Sequence, residues 1–173
     1  MVKKIILLLF CCALTSCNRD RFPFNKAALT YKGKLVYNNE FRIDGFYYHY
    51  MYQGGVCVTY FFQDGIYFDF CVNSSKLSSL PAGDFIDIPD NIRDVPYYWG
   101  AYIIDGNIIK IQKYDPQRYR VFEIQEIWAT IENDTTIHFF RDQRRYGKAI
   151  EMDKTGHFRS TLSKPDSTNI LIR

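Results

Sequence analysis

Apolar and polar residues alternate along most of this chain with a period of two, and short turn signals separate the alternating runs. From Phe46 to Tyr52 the even positions, Phe46, Tyr48, Tyr50 and Tyr52, are all aromatic. An extended strand places them on one face, with Tyr47, His49 and Met51 on the other. The clearest hairpin runs from Val56 to Val72. With Gln63-Asp64-Gly65 as a three-residue loop and Gly65 supplying the left-handed conformation, Phe62 faces Ile66, Tyr60 faces Phe68 and Val58 faces Phe70. Every residue of that face is apolar or aromatic, so it reads as the buried side. The same register sets Cys57 opposite Cys71 as a non-hydrogen-bonded pair, where side chains approach closely. This predicts a cross-strand disulfide on the less buried face.

A second hairpin is predicted from Trp99 to Tyr114 around Asp105-Gly106-Asn107, with Trp99, Ala101 and Ile103 sharing a face with Ile109 and Ile111. A third spans about Arg120 to Arg141 around Asn133-Asp134. Its register is ambiguous by one residue, so either Trp128 or Ile131 points inward. A last strand is expected over His157 to Leu162, with Ile170 to Ile172 as a closing segment. Asn73 to Tyr98 breaks the rhythm with Pro81, Pro89 and Pro96. A segment of that length reads as a lid across an opening or as a connector between distant strands, with one short helical turn. No window of useful length carries a helical period.

Seven or eight short strands joined by tight turns imply an all-β antiparallel meander. Closing it into a barrel removes its edges, and eight strands enclose room for side chains or one small ligand. A two-sheet β-sandwich is the alternative.

The first residues change the picture of where the chain resides. Lys3 and Lys4 precede an apolar run, Ile5 to Ala13, about half the roughly 20 residues a spanning helix needs. Leu14-Thr15-Ser16-Cys17 then resembles a bacterial lipoprotein signal, which implies cleavage before Cys17 and a lipid on its thiol. Cleavage removes 16 of 173 residues and two of 22 basic side chains, leaving 20 against 19 acidic. The basicity of the precursor therefore belongs mostly to its signal, and nothing favours nucleic acid as a partner. The expected organisation is a signal peptide at 1–16, a lipidated N-terminus and tether at 17–30, and one domain at 31–173 with a long loop at 73–98. Asn18 after the lipidated cysteine favours the outer membrane, with the periplasmic face expected. Cys57 and Cys71 are left in an oxidising compartment.

Asp44-Gly45-Phe46-Tyr47-Tyr48, Phe61-Phe62-Gln63-Asp64-Gly65, the run Trp99 to Gln112 and Ile131-Glu132-Asn133-Asp134-Thr135-Thr136-Ile137 together resemble the small lipocalin-like lipoproteins of Bacteroidetes. The resemblance covers roughly Lys32 to Arg141 and lies in the order and spacing of hairpins. An early Gly-x-Trp is lacking, and Gly45-Phe46-Tyr47 is the nearest equivalent. The resemblance implies a calycin-type barrel with an apolar cavity.

No catalytic, metal, phosphate-loop or dinucleotide motif is present, so neither an enzyme nor a cofactor is expected. His49, His138 and His157 are isolated in sequence. Asp69 reads as solvated, and Arg141, Arg144, Arg145 and Lys148 read as a solvated basic turn. An inward set, Tyr48, Tyr60, Phe68 and Trp99, is expected to line a cavity for a small hydrophobic or amphipathic ligand. An outward set, Tyr47, Phe61, Tyr67 and Tyr102, would offer a platform. The expected function is non-enzymatic ligand binding by a protein held to the membrane through its lipid. The alternative is an interaction module: an accessory subunit for an envelope protein complex, a glycan-binding surface protein, or an inhibitor or immunity lipoprotein.

Overall fold

The computed structural model describes residues 29–31, 41–115, 123–144 and 147–167. The signal, Cys17, the tether up to residue 28 and the closing segment Ile170 to Ile172 lie outside the described residues.

Eight strands follow one another: β1 (Gly45–Tyr50), β2 (Gly55–Phe61), β3 (Ile66–Asn73), β4 (Trp99–Asp105), β5 (Ile108–Asp115), β6 (Glu123–Asn133), β7 (Thr136–Arg144) and β8 (Ile150–Ser160). Each pairs antiparallel with the next, and β8 returns to pair with β1, so the meander is a closed barrel. The seam is tight: a Cβ on Gly45 would lie 2.0 Å from the Arg159 carbonyl oxygen, so only glycine fits there.

The β2–β3 hairpin has the predicted register. Cys57 faces Cys71, Val58 faces Phe70 and Tyr60 faces Phe68. The Phe62 amide donates to the Ile66 carbonyl at 2.9 Å, and Gly65 carries the turn at φ 79°. The β4–β5 hairpin differs from expectation. Its loop is two residues, Gly106 and Asn107, because Asp105 pairs directly with Ile108. One loop residue fewer turns the register over. Tyr102 and Ile104 therefore share a face with Ile111 and Ile109, and Trp99 and Ala101 take the other. In β6–β7 the ambiguity resolves with Ile131 inward and Trp128 outward, helped by irregularities at Trp128/Ala129 and Ile131/Asn133. The last strand, β8, begins at Ile150, well before the expected His157.

Two separate cores result. One fills the barrel, with side chains from all eight strands: Tyr47, Phe61, Tyr67, Tyr102, Ile111, Ile127, Ile137 and Phe139 among the buried members, and Phe158 partly buried from β8. The other lies outside the wall of β1–β4, where Phe46, Val58, Tyr60, Phe68, Phe70 and Trp99 pack against Leu77, Ile86 and Ile88. Those last three come from the segment between β3 and β4, which is neither a lid nor a bare connector. It carries two short helices, α1 (Ser74–Ser78) and α2 (Asp90–Arg93), and a 3-10 turn at Pro96–Tyr98. Asn73 caps α1 by accepting from the Ser75 amide at 2.9 Å. The segment is bolted down by polar contacts as well. The Tyr60 hydroxyl donates to the Ile86 carbonyl at 2.8 Å, the Trp99 indole to Arg93 at 2.7 Å, and the Arg159 guanidinium to the carbonyls of Leu77, Leu80 and Pro81.

The barrel end holding the β2–β3 and β4–β5 turns is plugged. Phe41 stacks on Tyr47 and meets Phe61 edge-on, the Tyr102 hydroxyl donates to the Phe62 carbonyl at 2.8 Å, and the Lys164 ammonium donates to the carbonyls of Ile43 and Phe61.

Candidate ligand site at the open end of the barrel

Towards the opposite end, the inward positions change from apolar to polar. His49 of β1, Thr59 of β2, Asp69 of β3, Lys113 of β5, Gln125 of β6, Asp142 of β7 and Lys154 of β8 surround a half-open cavity of about 180 Å³. Its floor is apolar, formed by Tyr67, Ile127 and Phe139, with Met152 and Cys57 at the sides.

The Lys113 ammonium donates to the Asp69 carboxylate across the lumen, passing over β4, and lies 5.7 Å from the centre of the Tyr67 ring. These two charges satisfy each other in a place where neither would be stable alone. Gln125 Nε2 donates to Asp142 Oδ2 at 2.8 Å. Asp142 Oδ1 and His49 Nδ1 are both buried without a protein partner. Burial, joined by the nearby Lys154 ammonium, holds the His49 imidazole below its ordinary pKa, with Asp69 opposing the shift. The ring is therefore neutral at neutral pH. Burial likewise keeps the Tyr67 phenol protonated far above its usual range.

Cys57 and Cys71 are joined by a disulfide, as the register predicts. It lies on the less buried face, as expected, with Cys71 exposed, and that face is the lumen side, where Cys57 lines the cavity. The Cys57 Sγ also touches the Met51 thioether at 3.1 Å.

The two aromatic sets are exchanged relative to expectation. Tyr48, Tyr60, Phe68 and Trp99 do share one face, but it is the outer wall of the barrel, in the core beneath the β3–β4 segment. They line no part of the lumen cavity. Tyr47, Phe61, Tyr67 and Tyr102, read as an outward platform, fill the lumen. Asp69 is no solvated strand residue but half of the lumen ion pair. The three histidines do not converge: His49 is in the lumen, His138 Nε2 lies 3.0 Å from Asp153 on the outside, and His157 sits beside the Tyr48 ring. In the basic turn, the Arg141 guanidinium stacks 4.7 Å over the Trp128 ring, Arg144 pairs with Asp115 at 3.0 Å, and Arg145 lies outside the described residues.

No protein family matches this chain, and neither does any curated protein or solved structure. What stands is the architecture, an eight-stranded antiparallel meander closed into a barrel, consistent with a lipocalin-like fold. Among the described residues no group of three or more His, Cys, Asp or Glu side chains is placed to hold a metal ion. The arrangement has the means to bind: an apolar floor, a fixed ion pair, and two buried polar atoms with unused hydrogen-bonding capacity. The sequence signal for these residues was present as polar residues at inward positions of apolar strands, as in Ile109-x-Ile111-x-Lys113 and Tyr67-x-Asp69. It becomes readable only once the inward face is known.

Proposed function

We propose that this chain is a lipid-anchored, non-enzymatic envelope protein of the Bacteroidetes lipoprotein type, attached through Cys17 and holding a small amphipathic molecule at the open end of its barrel. The observation that carries the binding reading is the cavity itself, in which Asp142 Oδ1 and His49 Nδ1 are buried without partners. A polar atom withdrawn from water and left unpaired costs about 1–3 kcal/mol, a debt that a ligand donor or acceptor relieves. The volume limits the ligand. An engineered cavity of about 150 Å³ holds benzene, and drug-sized sites begin at about 300 Å³. A cavity of about 180 Å³ therefore suits a molecule of ring size, its apolar part on Phe139 and Ile127 and its polar groups at Asp142 and His49. A long acyl chain does not fit within it.

Native mass spectrometry of the protein extracted gently from its own membranes tests this reading. A bound small molecule that is lost from His49→Ala and Asp142→Asn, both folded, supports it. A mass accounted for by polypeptide and lipid alone, together with no thermal shift from any member of a panel of small amphipathic compounds, overturns it.

A further inference from the structure

We infer that the open end of the barrel rests against the bilayer, so that the lumen cavity opens at the membrane–water interface. This rests on the proposed lipid anchor at Cys17.

Exposed large apolar side chains gather at this end. In the β1–β2 turn Tyr50 is 65% exposed, Met51 46% and Tyr52 95%, and on β8, the strand paired with β1, Ile150 is 53% exposed. Among the described residues only Leu162 is comparable at the plugged end. The turn is built to project them, with Gln53 and Gly54 both in the left-handed region at φ 85° and 79°. Tyrosine and methionine side chains with an apolar body suit the interface of a bilayer, where tyrosine is enriched. The exposed Lys148 and Lys154 lie on the same end, beside Glu151, and offer ammonium groups to lipid phosphates.

The first described residues dock nearer this end. Leu29 is buried, the Thr30 amide and hydroxyl both donate to Gln112 Oε1 at 2.8 and 3.1 Å, and the Tyr31 hydroxyl donates to Glu126. Gln112 and Glu126 face each other on β5 and β6, each three residues from the open end of its strand. At about 3.4 Å per residue the docking point is some 10 Å from the rim. Leu29 lies twelve positions beyond Cys17. A stretch of that length spans at most about 40 Å. The lipid therefore reaches the apolar-rimmed end, the nearer of the two, with length to spare, and the exposed Tyr50, Met51, Tyr52 and Ile150 select that end for the headgroups.

The test uses the full-length protein purified from membranes and placed in phosphatidylethanolamine–phosphatidylglycerol vesicles. Tyr52→Cys and, at the plugged end, Asp134→Cys each provide one site for a nitroxide label, because Cys57 and Cys71 are bonded to each other. Both native side chains are exposed, so neither change disturbs a core. Collisions with oxygen, which partitions into lipid, are compared with collisions with a water-soluble nickel chelate. The expected result is an oxygen-to-nickel ratio several-fold higher at position 52 than at 134. Equal ratios overturn the inference, and so does a label at 52 shielded from both reagents, which would mean a protein partner or a second copy on this rim. Intact mass of the same sample separates the failures. A diacylated Cys17 with a water-exposed label at 52 refutes the orientation alone, and an unmodified Cys17 refutes the anchor and the orientation together.

Discussion

Tyr60 and Phe61 are adjacent in the chain and buried in different cores. Tyr60 faces outward beneath the β3–β4 segment, with its hydroxyl on the Ile86 carbonyl at 2.8 Å, and Phe61 faces inward against Tyr47 and Tyr102. β2 is thus a strand with no solvent face along most of its length. Phe61→Ala is expected to cost about 3–5 kcal/mol, as large-to-small changes of buried aromatics do. Tyr60→Phe keeps the ring and leaves the Ile86 carbonyl without its donor, for about 1–3 kcal/mol. Urea denaturation followed by far-ultraviolet circular dichroism measures both. A loss under 1 kcal/mol for Phe61→Ala would contradict a filled lumen.

The Asp69–Lys113 pair makes a second prediction. Removing one partner leaves a charge stranded in the lumen, at a cost of up to about 3–5 kcal/mol. The Lys113 side chain is 10% exposed and that of Asp69 24%, so Asp69→Leu, which strands the better buried ammonium, should be the worse single change. The double variant Asp69→Leu with Lys113→Met should recover most of the loss. A double-mutant cycle reads the coupling, and simple additivity of the two changes would refute the pairing.

Lys164 sets a pH dependence. Burial against the Ile43 and Phe61 carbonyls lowers its pKa from the usual 10.5 to about 8, with Asp44 and Asp64 opposing the shift. Between those values the unfolded chain keeps the proton that the folded protein has released, so stability rises with pH across that window. The buried phenols act in the opposite sense. Burial raises Tyr47, Tyr60, Tyr67 and Tyr102 above the usual 10.0. Above about pH 10 the unfolded chain loses those protons first and stability falls. Thermal unfolding across pH 7.5 to 11, compared with Lys164→Met, should show the rise missing in the variant and the fall retained.

The disulfide closes a loop with a sequence separation of 14. Loop entropy then gives about 3 kcal/mol. Cys57→Ala with Cys71→Ala should lower the melting temperature and speed amide exchange at the open end of β2 and β3. Exchange in the β6–β7 hairpin should be unchanged.

The register of β2–β3 was legible because one loop with one obligatory glycine determines it. The exchange of inner and outer faces has a physical origin. A period of two separates the faces of a strand but does not say which is enclosed, and in β1–β4 both faces are apolar. Phe46, Tyr48 and Tyr60 are as greasy as Tyr47 and Phe61, since a second layer lies outside the wall. That layer was hidden because 74–98 is rich in prolines and turns, and its apolar residues, Leu77, Ile86 and Ile88, follow no single period. The β4–β5 slip came from one residue of turn length. Asp69 at the polar mouth was missed as a consequence of the face exchange, because it looks solvated when its side of the sheet is taken as the outside.

The β1–β8 seam has a consequence for biogenesis. Gly45 meets Ser160, about 115 residues further along the chain, and pairings this distant form slowly. A polypeptide synthesised from its N-terminus cannot complete this ring until nearly all of it has emerged. For that interval β1 keeps a raw edge, open to chaperones or to stray strands of its neighbours. The covered β1–β4 half is positioned to assemble during this wait and to serve as the template on which the later hairpins dock.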